Sequence, residues 1–221
     1  NGNTLTKASS IETVSYSFDS QNRLISSSNG LDNLEFSYNH NGIRQSKTVN
    51  GVATNYLIDQ NQDYAQVIEE HDAGGSLTTT YTYGNDLINQ ERGGIASYYQ
   101  YDGLGNTRAL TDGSGNLSDS YNYTAFGELE TQTGTTDNNY LFTGEQFDSE
   151  LNQYYLRARY MDPAVGRFTQ MDTWVGNIES PVTLHKYLYA DVDPVQKIDP
   201  TGLYTAKFGR AVERDQDHAR Q

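Results

Sequence analysis

The segment "KYLYADVDPVQKIDPTGLY" (residues 186–204) combines several acidic side chains with two Asp-Pro pairs and a glycine, in a chain that has only four prolines. Two carboxyl groups at one site can hydrolyse a peptide bond, because one accepts a proton from water while the other donates one. Two such groups do not both ionise easily, so one keeps its proton near neutral pH. The pair also needs a neighbouring positive charge, which an arginine can supply. Because the chain contains no cysteine and shows no metal-ligand spacing, the remaining alternative for this chemistry is a serine system.

The end of this segment, "DPTGL", has the sequence of a rigid turn. Pro200 fixes its own φ angle and keeps Asp199 out of the helical region, and Gly202 permits a sharp bend. Together they can present the peptide bond between Leu203 and Tyr204 at one fixed geometry. An isolated Asp-Pro-x-Gly sequence is most often an ordinary β-turn, so the surrounding sequence must decide between the two interpretations.

The elements that must position this segment are β-hairpins. An aromatic or aliphatic residue is followed by Asp, Asn or a small residue at positions 19, 39, 59, 84, 102 and 124. Before most of these pairs a second aromatic residue stands two positions earlier, as in Tyr81-Thr-Tyr83 and Tyr99-Gln-Tyr101, and this alternation is typical of a strand. Turn sequences such as "DSQNR", "NHNGI" and "DGLGN" follow. Units this small cannot bury their own apolar faces, so the sequence predicts an all-β fold of stacked hairpins.

Composition limits the possible functions. The chain has 221 residues, of which 35% are hydrophobic, and 18 tyrosines, so tyrosine rather than leucine is expected to build the core. A formal charge of −14 argues against binding to nucleic acid or to an anionic membrane. No apolar run approaches the roughly 20 residues of a membrane span. No signal peptide is visible after Asn1. The sequence is interpreted as a piece of a longer protein.

Three stretches of the sequence resemble the Rhs/YD-repeat proteins. "YYQYDGLGNTRALTDGSGN" is similar to the tyrosine–aspartate repeat, and earlier copies are degenerate, with Asn39 or Gly84 in place of Asp. "YLRARYMDPAVGRFTQMD" (155–172) and "LHKYLYADVDPVQKIDPTGL" (184–203) resemble the Rhs repeat-associated core. The resemblance implies YD-repeat hairpins over residues 1–135, the core domain over 136–203, and the start of a truncated variable toxin segment over 204–221.

The resemblance implies part of a wound β shell, closed by the core domain as a plug, as in polymorphic toxins and in the C component of insecticidal toxin complexes. The implied activity is a single-turnover, intramolecular aspartic-type self-cleavage between Leu203 and Tyr204 that releases the toxin. It needs no cofactor and no metal. The implied partners are the chain's own C-terminal toxin segment, the upstream shell and a secretion or delivery component, in a protein that is secreted or exported to a target cell.

The residues that match the family's self-cleaving set are Arg159, Asp172 and Asp199, as an orienting cation and a carboxylate pair. Two departures stand out: Asp172 precedes Thr173 rather than the proline of a second D-P-x-G motif, and Asp172 and Asp199 are separated by 27 residues (199−172). Asp162 is a rival acid, in a position that resembles a turn between two core strands. His185 is a minor candidate base and more typical of a packed histidine.

Trp174, Tyr187 and Tyr189 are predicted to anchor the plug to the inner wall by apolar burial. The alternation in "KYLYADV" predicts a strand there, and the residues after Leu203 predict a short helix or disorder. The alternative function is a non-catalytic YD-repeat scaffold that binds carbohydrate or a partner protein through exposed tyrosines.

Overall fold

A computed structural model describes residues 2–10 and 12–207. Within these residues, thirteen strands form one antiparallel sheet in which every strand pairs with its neighbours in sequence. We call this sheet the wall. Its strands are β1 Thr6–Ala8, β2 Thr13–Phe18, β3 Leu24–Ser28, β4 Asn33–Tyr38, β5 Arg44–Val49, β6 Val52–Asp59, β7 Gln66–His71, β8 Leu77–Tyr83, β9 Leu87–Arg92, β10 Ile95–Tyr101, β11 Thr107–Thr111, β12 Leu117–Tyr123 and β13 Leu129–Thr133.

Turn residues close the hairpins at one edge of the wall. Oδ1 of Asp19 accepts hydrogen bonds from the backbone N–H groups of Gln21 and Arg23, at 2.8 and 3.0 Å. Asn39 and Asp102 hold their turns in the same way. An Asp or Asn side chain that binds the backbone two residues ahead stabilises such a turn. The turns predicted from the sequence are therefore present.

The wall face that carries the aromatic alternation is the buried face. Tyr81 and Tyr99 are 5% and 6% exposed, and Tyr83 and Tyr101 pack against the same core from the same face. The buried apolar residues of the described chain include ten tyrosines and seven leucines. Each tyrosine contributes a large ring to the core and keeps a hydroxyl that can be hydrogen-bonded. Tyrosine therefore builds this core, as the composition predicts.

A second, smaller unit packs on that face, and we call it the plug (residues 140–207). Its four-stranded antiparallel sheet and a separate two-stranded ladder are joined by short 3₁₀ turns. The strands are β14 Gln146–Asp148, β15 Gln153–Leu156, β16 Arg159–Asp162, β17 Arg167–Phe168, β18 Lys197–Ile198 and β19 Ala206–Lys207, and the 3₁₀ segments are Phe142–Gly144, Pro181–Leu184 and Ala190–Val192. The prediction of an all-β chain is confirmed.

Arg44 of β5 joins the wall to the plug. Its guanidinium is fully buried and is ion-paired with Asp148 of β14. It also donates a 2.8 Å hydrogen bond to the hydroxyl of Tyr160, and its Cζ lies 4.2 Å from the centre of the Tyr155 ring. Burial raises the pKa of Asp148, but Arg44 and Lys47 outweigh that effect and hold the pKa below its ordinary value. The contact fixes the plug at one position on the wall.

One local prediction for the plug is wrong, and another is tested only at residues 204–207. "KYLYADV" is not a strand: Leu188 forms only an isolated bridge with Arg167, and Ala190–Val192 is a 3₁₀ turn. The backbone at Ala190 and Asp191 has positive φ angles of 49° and 52°, which cannot continue a strand. The residues after Leu203 begin with strand β19 rather than a helix, and residues 208–221, which were also predicted as helix or disorder, lie outside the described residues.

The three predicted anchors of the plug have different environments. Tyr189 is 1% exposed, and its ring contacts Phe142 and Phe168, with centroid distances of 6.4 and 6.0 Å. Trp174 and Tyr187 are half-buried outside this core. The Tyr187 hydroxyl donates a hydrogen bond to the backbone carbonyl of Gly2 at 2.5 Å. Tyr187 therefore binds the first described residue of the chain to the plug.

Candidate active site

The DPTGL turn (residues 199–203) lies against the tip of the β15–β16 hairpin. Three successive carbonyl oxygens of the turn accept hydrogen bonds from three successive residues of that tip. The pairs are Pro200 with the guanidinium of Arg157, Thr201 with the backbone N–H of Ala158 at 3.2 Å, and Gly202 with Nε of Arg159. The backbone of the turn is therefore held at three consecutive points.

Glycine is required at position 202 for two reasons. Its φ angle is +71°, in the region that residues with a Cβ rarely adopt. A Cβ at this position would also lie 2.4 Å from the carbonyl oxygen of Leu156 and 3.0 Å from the backbone nitrogen of Arg159. The turn can approach the hairpin this closely only because residue 202 has no side chain.

Arg159 lies between the two predicted carboxylates. Its Nη2 is 3.1 Å from Oδ2 of Asp172 and 3.7 Å from Oδ2 of Asp199. The guanidinium lies over the ring of Phe168, 3.7 Å from its centre. Burial lowers the pKa of Arg159 from its ordinary value, while the two carboxylates act in the opposite direction. The structure thus brings together three residues that are separated by up to 40 positions in the sequence.

Asp199 contacts the peptide bond that the sequence analysis singles out. Its Oδ1 accepts hydrogen bonds from the backbone N–H groups of Leu203 and Tyr204, at 3.1 and 3.2 Å. The residue is 3% exposed. Burial raises its pKa to about 7, although Arg159 and the backbone N–H groups oppose the shift. Asp199 therefore combines a raised pKa with a direct contact to the nitrogen of Tyr204.

Asp172 follows the β17 strand and is fixed by its own backbone contacts. Its N–H donates to the carbonyl of Lys186 at 2.9 Å, and its Oδ1 accepts from the N–H of Trp174 at 2.8 Å. These bonds leave Oδ2 facing Arg159. The Asp172 side chain is 14% exposed, so it lies nearer to solvent than the 3% exposed side chain of Asp199.

The rival acid lies elsewhere. Oδ2 of Asp162 is 2.5 Å from Nζ of Lys7 on β1, and its Oδ1 accepts from the N–H of Ala164. Its backbone carbonyl accepts the N–H of Gly166, so the residue caps the turn between β16 and β17. His185 is exposed, and its Nδ1 accepts a hydrogen bond from the backbone N–H of Tyr187. The structure places neither residue in the cluster around Arg159.

Two further candidates, Arg157 and Glu145, were not predicted from the sequence. Nη1 of Arg157 is 2.6 Å from Oε2 of Glu145, and both side chains are nearly buried. Burial raises the pKa of Glu145 to about 7, against the effect of Arg157. The sequence "RAR" (157–159) was the one available indication of Arg157. Arginine is rarely buried unless it is paired, so two arginines in a short, buried hairpin indicate a specific role.

The end of the DPTGL turn lies near solvent. Leu203 and Tyr204 are 41% and 37% exposed. A cleft of about 430 Å³ lies beside Leu203, between the plug at Arg159 and the wall turns at Arg23 and His40. The site therefore combines the buried carboxyl group of Asp199 with an open cleft beside Leu203.

No family model matches the chain. Over 195 residues, 85% of the chain, it is 33% identical both to the tRNA3(Ser)-specific nuclease WapA of Bacillus spizizenii and to the tRNA nuclease WapA of Bacillus subtilis. The structure of TcdB2-TccC3-Cdc42 matches 86% of the chain with a TM-score of 0.65 and 15% sequence identity. The chain is thus similar in sequence to part of these WapA nucleases and in fold to part of the TcdB2-TccC3 assembly. Its fold is that of stacked β-hairpins from a wound β shell with a plug.

These relatives are much longer than the chain. It spans 8% of the length of the two WapA proteins and 10% of the matched chain in the TcdB2-TccC3-Cdc42 structure. Within the described part of the chain, no helix has the length and apolar character needed to span a bilayer.

Proposed function

We propose that this chain is the closing part of an Rhs-type toxin shell, and that its plug cuts the chain once between Leu203 and Tyr204 to release the segment that follows. The proposal rests on one observation: Oδ1 of Asp199 is 3.2 Å from the nitrogen that would leave, while Arg159 joins this acid to Asp172. The implied units are the repeats (1–135), the core (136–203) and the start of the released segment (204–221).

The geometry supports different roles for the two acids. Asp172, whose side chain is the more exposed of the two, is the general base, which accepts a proton from a water molecule as the water oxygen bonds to the carbonyl carbon of Leu203. Asp199 is the general acid, since its pKa is about 7 and it already contacts the leaving nitrogen. Arg159 provides the positive charge that favours the oxyanion intermediate.

The second step breaks the bond. In the tetrahedral intermediate the nitrogen of Tyr204 has a free lone pair, which accepts the proton of Asp199 as the carbon–nitrogen bond breaks. The products are a carboxyl group on Leu203 and an amine on Tyr204, and the atoms of one water molecule are consumed. Because the three hydrogen bonds to the turn hold the bond in place, the reaction is intramolecular and needs little further ordering.

The proposed biological setting follows from the relatives. The released segment would be the toxic cargo, held until then by this wall and by upstream shell, and a delivery component would carry the assembly out of the producing cell. The alternative of a sugar-binding scaffold requires exposed tyrosines on the repeats. Tyr16, Tyr81 and Tyr121 are instead 5%, 5% and 1% exposed, so these rings cannot stack on a sugar.

The direct test is intact-mass measurement of the freshly made full chain. We expect two fragments that separate between Leu203 and Tyr204. A wild-type chain that has the circular dichroism spectrum of a folded β protein and remains in one piece would contradict the proposal.

The rate of self-cleavage should fall as the pH rises above about 7. A general acid must be protonated to act, and Asp199, whose pKa is about 7, loses its proton over this range. The rate should therefore drop about tenfold for each pH unit well above the pKa. The measurement is the appearance of the fragment ending at Leu203, by mass spectrometry, after refolding at a series of pH values. A rate that stays constant between pH 7 and 9 would exclude Asp199 as the acid.

Replacing Gly202 with Ala should slow cleavage about 100-fold, because the methyl group pushes the turn away from Leu156 and Arg159 and displaces the reacting bond. Gly30→Ala is the matched control. Gly30 also has a positive φ angle, +86°, but a Cβ there meets nothing within 4 Å. It should cost some stability and leave the cleavage rate unchanged; equal rates for the two variants would show that the close approach is irrelevant.

A further inference from the structure

Arg157 of the plug connects the wall to the DPTGL turn. Its Nε donates to the carbonyl of Ala65 at 3.0 Å, and its Cζ lies 4.4 Å from the centre of the Tyr64 ring. Both residues belong to the wall loop that joins β6 to β7 (residues 60–65). The same guanidinium donates to the carbonyl of Pro200 and to Glu145. A single planar group thus contacts the wall, the plug and the turn.

Arg157 is held in this position at a cost. Its backbone has a φ angle of 58°, which is uncommon for a residue other than glycine, asparagine or aspartate. Its side chain is only 14% exposed, and burial of a charged group is unfavourable unless its donors are satisfied. Ala65, Glu145 and Pro200 supply the acceptors and Tyr64 covers the face. Two of these four contacts exist only when the wall loop is docked.

We propose that Arg157 is a positioning residue for the cut, and that Tyr64 and Ala65 make the cut depend on docking of the wall loop onto the plug. The inference rests on the proposed self-cleavage. Pro200 is the first of the three turn carbonyls that the hairpin holds, and Arg157 is its donor. When the loop is not docked, the guanidinium of Arg157 lacks the carbonyl of Ala65 and the ring of Tyr64. It is then exposed to water and can rotate away from the carbonyl of Pro200. A plug that has folded but has not closed onto its wall then keeps the bond between Leu203 and Tyr204 intact, so the cargo is freed only inside a closed shell.

The test follows cleavage of the full chain after refolding, by intact mass, in Arg157→Gly, Arg157→Lys and Tyr64→Leu. Glycine accepts the positive φ angle, so the backbone is not strained by that change. We expect Arg157→Gly to slow the cut at least about tenfold, and Tyr64→Leu to slow it about three- to tenfold, as expected for loss of a partly buried cation–π contact. Arg157→Lys should remain slow, because an ammonium cannot bind Ala65, Glu145 and Pro200 in the same planar geometry.

Two further measurements distinguish a positioning role of Arg157 from a general loss of protein stability. Tens of millimolar methylguanidinium should restore part of the rate in Arg157→Gly by filling the vacated site, which a purely structural loss would not allow. Arg92→Lys is the matched control, since Nη2 of Arg92 is 3.2 Å from Oε2 of the buried Glu70 within the wall, and this variant should cut at the wild-type rate.

The outcomes are distinct. If folded Arg157→Gly or Tyr64→Leu cuts as fast as wild type, the inference is wrong and the proposed self-cleavage stands. If Arg157→Gly does not fold, a wild-type rate in Arg157→Lys or Tyr64→Leu overturns the inference in the same way. If the wild-type chain itself never splits, both the inference and the proposed function are wrong.

Discussion

Replacing Asp199 with Asn should leave the chain in one piece. The amide is nearly the same size as the carboxyl group, and its oxygen can still accept the N–H groups of Leu203 and Tyr204, so the turn should keep its shape. The amide cannot donate a proton to the leaving nitrogen, and loss of a general acid typically costs about 10²- to 10⁴-fold in rate. Intact-mass measurement over hours after refolding should show almost no fragment that ends at Leu203.

The matched control is Asp162→Asn. Asp162 is also a buried aspartate of the plug, 2% exposed and ion-paired with Lys7, but it lies outside the cluster around Arg159. This variant should lose stability and still cleave completely. Asp172→Asn should resemble Asp199→Asn. Cleavage of the Asp199→Asn chain at the wild-type rate would remove Asp199 from the mechanism.

Replacing Arg44 with Met should destabilise the protein by about 3–5 kcal/mol. The change removes one partner of a fully buried ion pair and leaves Asp148 in the core with Lys47 as its remaining cation. It also removes the guanidinium from the ring of Tyr155 and the hydrogen bond to Tyr160. Because the pair joins β5 of the wall to β14 of the plug, the loss should affect the docking of the two units.

The measurement is urea denaturation followed by tyrosine and tryptophan fluorescence. Both proteins should carry Asp199→Asn, so that the compared chains are intact. Arg23→Met is the control, because Arg23 is a half-buried wall arginine paired with Asp19 inside one turn, and such pairs contribute about 0–1 kcal/mol. If Arg44→Met changes the free energy of unfolding by less than 1 kcal/mol, the buried pair does not anchor the plug as we describe.

Local sequence patterns predicted the wall well. Alternation of aromatic residues placed Tyr81 and Tyr83 on one face, and Asp or Asn side chains closed the turns, because both effects act between residues close in sequence. The same reasoning was wrong for "KYLYADV". Alternation produces a strand only where a partner strand is available, and Leu188 finds only a single bridge to Arg167.

The candidate site was predicted only in part. Arg159, Asp172 and Asp199 were chosen by resemblance to the Rhs core, and the structure places them in contact. Nothing in the sequence indicated that Arg157 would connect Ala65 to Pro200, which are 135 residues apart. Glu145 was also missed, since its raised pKa comes from burial in the folded chain, which the local sequence does not reveal.

The sequence alone therefore determined the repeated hairpins, the tyrosine core and the rigid DPTGL turn, because each depends on the conformational preferences of a few adjacent residues. The tertiary structure decided which charges meet: Arg44 with Asp148, Arg157 with Glu145, and Arg159 with both aspartates. The contact of Arg44 with Asp148 depends on how the plug docks on the wall, whereas the contacts of Arg157 and Arg159 depend on the fold of the plug itself. The pKa of Asp199 is raised to about 7 because the folded chain buries this carboxyl group.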